Sequence, residues 1–120
     1  YDSLMDEIFS LTKKYIIISS LFTDFDVDVI SEVKEYPSQD YEKFSFPYYY
    51  NIYSFNKFKK YWNYKGATEI FSKDFSINID LNKPKNNIMG TYTLDTKSKG
   101  KIQFSGPINM PWKMICIKLD

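Results

Sequence analysis

Three carboxylates stand at every second position in Asp24-Phe25-Asp26-Val27-Asp28, so an extended chain would put them on one face. Hard cations such as Ca²⁺ or Mg²⁺ take oxygen ligands gathered in that way. The stretch lacks the glycine and the distal glutamate of an EF-hand loop. A solvated acidic edge that discourages strand-on-strand association explains the spacing without an ion, so neither metal nor cofactor is expected. A second candidate interleaves aromatics with lysines over residues 55–65, a mixture that could stack bases and neutralise the phosphates of a single strand. The spacing of Phe55, Phe58 and Trp62 is that of an amphipathic helix with a wet lysine side, which makes nucleic acid an unlikely partner. A third is the run Tyr48, Tyr49, Tyr50 and Tyr53, since tyrosines on an exposed sheet face make rigid amphipathic contacts with proteins. In alternation with Phe44, Phe46 and Ile52, the even positions are core and Tyr49 and Tyr53 are the contact residues.

Catalytic equipment is thin. All sixteen basic residues are lysines, with no Arg and no His. The one side chain whose unperturbed pKa lies near neutrality is missing, as are the planar fork for carboxylate or phosphate and the bidentate grip on guanine. Cys116 has no histidine to activate it, no serine sits in a nucleophile elbow, and no phosphate-binding glycine pattern occurs. Glu69 and Asp74 are formally a carboxylate pair, but nothing singles them out. The expectation is a protein that is not an enzyme.

The elements that would position these residues are clearest over residues 88–119. Ile88, Gly90, Tyr92 and Leu94 alternate with Thr91, Thr93 and Asp95; a polar turn ending at Gly100 follows; then Ile102 and Phe104 resume against Lys101, Gln103 and Ser105. After a second turn, residues 112–119 are apolar on both faces except for Lys113 and Lys118, which suits a strand in mid-sheet with its lysine amines reaching water. These are expected to form one three-strand antiparallel unit.

Upstream, Leu4, Ile8, Leu11 and Tyr15 recur at helical spacing, and Ser3 with Asp6 approximates a capping box, giving a helix over residues 3–13. Residues 15–22 read as a buried strand, and residues 27–36 as a strand on the strength of their valines, with a helix as the competing pattern. Residues 37–41 form a loop. The strand from Phe44 to Tyr53 contains Pro47, which cannot donate a ladder hydrogen bond and so points to an edge or bulge. Ser54 caps a helix stopped by Gly66, and residues 68–81 return to strand, with Phe75, Ile77, Ile79 and Leu81 alternating cleanly. The sum is an α+β fold: an antiparallel meander of six to eight strands, strongly curved or partly closed, with an N-terminal helix and one short mid-chain helix.

At 120 residues the chain is expected to be a single domain, 1–120, that needs no disulfide to stay folded. Cys116, alone in an apolar strand, reads as a buried structural thiol, which fits a reducing, cytoplasmic location. No run reaches the ~18 apolar residues of a membrane span. The chain begins at Tyr1 without an initiator Met, which leaves room for a leader, tag or upstream domain. Composition does not set the oligomeric state. Net charge is only +1, yet residues 1–45 carry ten acids against four lysines and residues 46–120 carry five against twelve. That asymmetry can orient a molecule toward a charged partner, although a fold can also mix it away.

Two functions follow. In the first, an inhibitor or immunity-type domain docks on a basic protein, such as a toxin, through Asp24, Asp26, Asp28, Glu32, Glu35, Tyr49 and Tyr53. In the second, a carrier encloses a small apolar ligand in a barrel-like aromatic pocket.

Overall fold

The structure is a computed structural model that describes residues 2–35, 47–75, 78–98 and 100–120. Its elements are α1 (Asp2–Leu11), β1 (Tyr15–Thr23), β2 (Val29–Val33), β3 (Tyr48–Ser54), α2 (Phe55–Tyr64), β4 (Ala67–Asp74), β5 (Thr91–Thr96), β6 (Gly100–Ser105), β7 (Ile108–Asn109) and β8 (Trp112–Leu119). They make an α+β fold with two separate sheets, ordered β2-β3-β1-β8-β4 and β5-β6-β7. The larger sheet is mixed, because β3 joins β1 in parallel at Phe22↔Tyr53 and Thr23↔Ser54. It is not closed, so the expected single antiparallel, partly closed meander is corrected to two sheets, the larger of them mixed and open; the eight strands fall within the expected six to eight.

The place of β8 in the strand order explains the difference. β8 was expected to stay with the hairpin that precedes it; instead it runs between β1 and β4, antiparallel to both. There Ile117 lies level with Ile16 on one side and Ile70 on the other, and Ile115 lies level with Ile18. These side chains face the two helices. Phe55, Phe58 and Trp62, spaced along one side of α2, close over them together with Met5 of α1, and Trp62 and Ile117 are wholly buried. Burial of that much aromatic and β-branched surface outweighs what β8 could gain beside a small exposed hairpin. The two-residue β7 takes its place next to β6.

Local signals around α2 hold as read. Ser54 caps it, its hydroxyl accepting from the Lys57 amide at 3.3 Å, and Gly66 ends it at φ +91°. Helix α1 starts at Asp2, so Ser3 lies inside its first turn rather than at its cap. The valine-bearing stretch is indeed a strand, β2. Pro47 stands just before β3, which lies between β2 and β1 and is not an edge. The expected loop at 37–41 and the positions Tyr36, Phe44 and Phe46 lie outside the described residues, as does Ile77. Beyond Asp74 the expected strand does not continue through Ile79 and Leu81. Thr93 anchors this stretch instead: its hydroxyl accepts from the Leu81 amide at 2.9 Å and donates to the Ile79 carbonyl at 3.0 Å, and its amide donates to the Leu81 carbonyl at 3.0 Å.

One face of the larger sheet is bare. Ile17 is 72% and Phe71 60% exposed, and Tyr15 and Met114 are exposed beside them, so the first half of β1 is buried on its helix side only, and Leu21 near its end is the buried residue of the outer face. Cys116 belongs to this outer face as a half-buried free thiol rather than a core one. No helix among the described residues is long and apolar enough to cross a membrane.

Candidate functional site

β1 and β4 run in the same direction on either side of β8, so their carboxyl ends emerge together. Each ends in the same dipeptide, Asp24-Phe25 after β1 and Asp74-Phe75 across the end of β4. Both ends are pinned to the entry of β8, with the Phe22 amide donating to the Pro111 carbonyl and the Phe75 amide to the Trp112 carbonyl, each at 3.0 Å. Facing them are Lys101, Ile102 and Gln103 of β6. Between these walls lies a half-open cleft of about 330 Å³. Loops at strand ends are free to vary over a fixed scaffold, and binding residues concentrate there.

Lys113 is the polar centre of the cleft. It is buried, contrary to the expectation that its amine reaches water, and its Nζ lies 2.6 Å from Asp74 Oδ1 and 3.3 Å from Asp24 Oδ1. The ammonium also sits 5.6 Å from the centre of the Phe55 ring. Burial pulls the Lys113 pKa down, but hydrogen bonds to Asp74 and Asp24 more than offset it, so the amine is held charged above its ordinary range. Lys101, hydrogen-bonded to Asp80 at 2.7 Å, is raised as well. Phe25 and Phe75 stand 74% and 48% exposed at the mouth, an unusual state for large apolar rings flanking a buried charge. The Gln103 Oε1 in the wall is buried without a hydrogen-bond partner among the described residues.

No family model, curated protein or solved structure matches the chain.

The acidic residues singled out by spacing do not form one surface. Asp24 turns to Lys113. Asp26 accepts from Asn56 Nδ2 at 2.9 Å. Asp28 accepts from the Ser54 amide with one oxygen and from Lys57 Nζ with the other, each at 2.8 Å. The chain bends at residues 24–26, so the three never share the face an extended strand would give them. Among the described residues no three metal-ligating side chains gather into a cation site. Glu32 pairs with Lys34 at 3.5 Å, and Glu35 accepts from the Tyr48 hydroxyl. Tyr49, opposite Glu32 across β2 and β3, is exposed; Tyr53 is not a free contact residue, since it packs against the core beside Phe22. Glu69 pairs with Lys118 and Asp74 with Lys113, so that carboxylate couple is apart and occupied. Phe55, Phe58 and Trp62 are buried, leaving the lysine side of α2 as a wet helix face.

The lengthwise charge asymmetry is folded away. Asp6–Lys65, Asp24–Lys113 and Asp28–Lys57 each join an acid of the first 45 residues to a lysine of the remainder. Every shift resolved among the described residues also moves away from neutrality. Hydrogen bonds to Lys65 and to Lys57 lower Asp6 and Asp28 respectively, while burial and carboxylate partners push Tyr48 and Tyr61 up to about 12. Such groups hold their ordinary charge more firmly, which suits recognition better than proton transfer.

Sequence reasoning missed Lys113, Asp74, Phe25, Phe75 and Trp112 as a set. The repeated Asp-Phe at the end of two apolar runs was a usable signal, but it required knowing that both strands flank the strand carrying Lys113.

Proposed function

We propose that this chain is a binding unit that holds a small ring-bearing molecule in the cleft between its two sheets, without chemistry of its own. The observation that carries the reading is the pair of exposed rings, Phe25 and Phe75, set on either side of the buried Lys113. Pockets for small molecules run from about 300 to 1,000 Å³, with apolar walls and a few placed polar groups. At about 330 Å³ the cleft sits at the small end of that range, so one ring with short substituents suits it better than a lipid. This reading keeps the carrier idea but replaces an enclosed barrel pocket with an open crevice between sheets. Denaturing the purified protein and analysing the released small molecules by mass spectrometry tests it, together with titration of the Trp112 emission by benzyl alcohol, which does not absorb where tryptophan is excited. A co-purifying ring compound, or a saturable change absent from Trp112→Phe, is expected; neither appearing would sink the reading.

A second reading, docking on a basic protein in the manner of an inhibitor, draws on the exposed Glu32 and Tyr49 facing each other across β2 and β3. Against it, Asp24, Asp26, Asp28 and Glu35 are drawn separately to Lys113, Asn56, Lys57 and Tyr48 and do not gather with Glu32 and Tyr49 into one acidic face. Binding to a basic candidate partner that weakens with salt and with Glu32→Ala/Tyr49→Ala would favour it over the cleft.

A further inference from the structure

The charge distribution in the cleft narrows the ligand class, provided the cleft is a ligand site at all. Two carboxylates, Asp24 and Asp74, converge on the single ammonium of Lys113, so the trio carries one surplus negative charge. The other lysine of the lining, Lys101, is matched by Asp80 and does not offset that surplus. Access sharpens the sign. The Lys113 side chain is only 11% exposed, whereas those of Asp24 and Asp74 are 79% and 82% exposed. An incoming ligand therefore meets carboxylate oxygens with unused lone pairs, while the buried ammonium is out of reach. Beside each carboxylate is an exposed ring from the same dipeptide, and the negative face of an aromatic ring attracts a cation as a carboxylate does. An anion entering here would face two carboxylates and two ring faces, and neither lysine lining the cleft among the described residues is free to meet it.

We infer that the cleft selects an organic cation: a protonated amine carried a short distance from a ring, its ammonium between Asp24 and Asp74 and its ring against Phe25 or Phe75. Lys113 sets the stage for it by drawing both carboxylates to one spot that would otherwise repel itself.

Benzylamine, benzyl alcohol and benzoate, matched in size and differing in charge, test the inference on the intact chain. Trp112 emission reports the cleft, with Trp112→Phe as the control for the buried Trp62. Benzylamine is expected to half-saturate at about tenfold lower concentration than benzyl alcohol, the sum of one exposed ion pair and the attraction of the ammonium to one ring face. Benzoate is expected to bind weakest. Asp74→Asn should bring amine and alcohol within about twofold of each other. Because that change also loosens Lys113, Phe25→Leu, at an exposed position, serves as a second variant and should weaken benzylamine several-fold. Equal binding of amine and alcohol, or tighter binding of benzoate, overturns the cation class while leaving a ring-binding cleft. Silence from all three probes overturns both.

Discussion

The two sheets are held together by different means. The larger one is a hydrophobic structure, with Ile16, Ile115, Ile117 and Leu119 covered by Met5, Phe55, Phe58 and Trp62. The smaller one contributes no apolar side chain to the buried set among the described residues; its buried members are Ser105 and Gly106. It is kept in place by hydrogen bonds, the Tyr92 hydroxyl to the Gly106 carbonyl at 2.9 Å, the Ser105 hydroxyl to the Met89 carbonyl at 2.7 Å, and Tyr50 to Ser105 at 2.8 Å. The stacked rings of Tyr92 and Phe104, 5.5 Å apart, supply its main apolar contact. The difference teaches where stability and adaptability reside. One sheet folds because it buries surface; the other is carried along and is free to shape the cleft wall.

The sharpest test of that contrast is truncation at the centre of the large sheet's cover. Trp62→Ala is expected to cost about 3–5 kcal/mol and to lower the whole unfolding transition in urea. Next comes Ser54→Ala, which removes the hydroxyl capping α2 and should cost about 1 kcal/mol, again across the whole transition. Tyr92→Ala in the small sheet should change the urea midpoint by less than that of Ser54→Ala, yet speed amide exchange in β5 and β6 while leaving β1 and β8 protected. A loss from Tyr92→Ala as large and as global as that from Trp62→Ala would erase the distinction between the sheets.

The smallest effects are those of pH. Asp28 is lowered in the folded state by its hydrogen bonds to Lys57 and the Ser54 amide. Its contribution is therefore fully present above the ordinary carboxyl pKa of 3.8 and is lost as pH falls through the lower folded value. Asp28→Asn should flatten the acid limb of the stability curve slightly. Tyr61, raised to about 12 by burial and its bond to Asp6, works in the opposite direction. Stability it supplies is present below pH 10 and disappears as pH climbs toward 12, so Tyr61→Phe should blunt the alkaline limb.

How far the sequence could be read depends on the range of the forces involved. Helix α2 was legible because cap, stripe and stop are all local: Ser54, then Phe55, Phe58 and Trp62, then Gly66. The hairpin of β5 and β6 was legible for the same reason, with Gly100 at φ +69° where the turn requires it. The destination of β8 was not. Its two apolar faces say that it is central, but choosing between a neighbouring hairpin and the distant β1 depends on Ile16 and Trp62, far away in sequence. Nor was the fate of the acids legible. Asp24, Asp26 and Asp28 look like one charged edge until Lys113, Asn56 and Lys57 arrive from elsewhere to claim them separately.

The uncovered side of the large sheet has a practical consequence. Ile17, Phe71 and Met114 meet water around a hollow of about 290 Å³ that Cys116 also lines, and Tyr15 is exposed on the same face. Water-facing apolar ground of this kind is a colloidal liability. Concentrated solutions of the isolated chain should turn cloudy on standing and clear with mild detergent, and an Ile17→Lys/Phe71→Lys variant should stay clear where the parent does not.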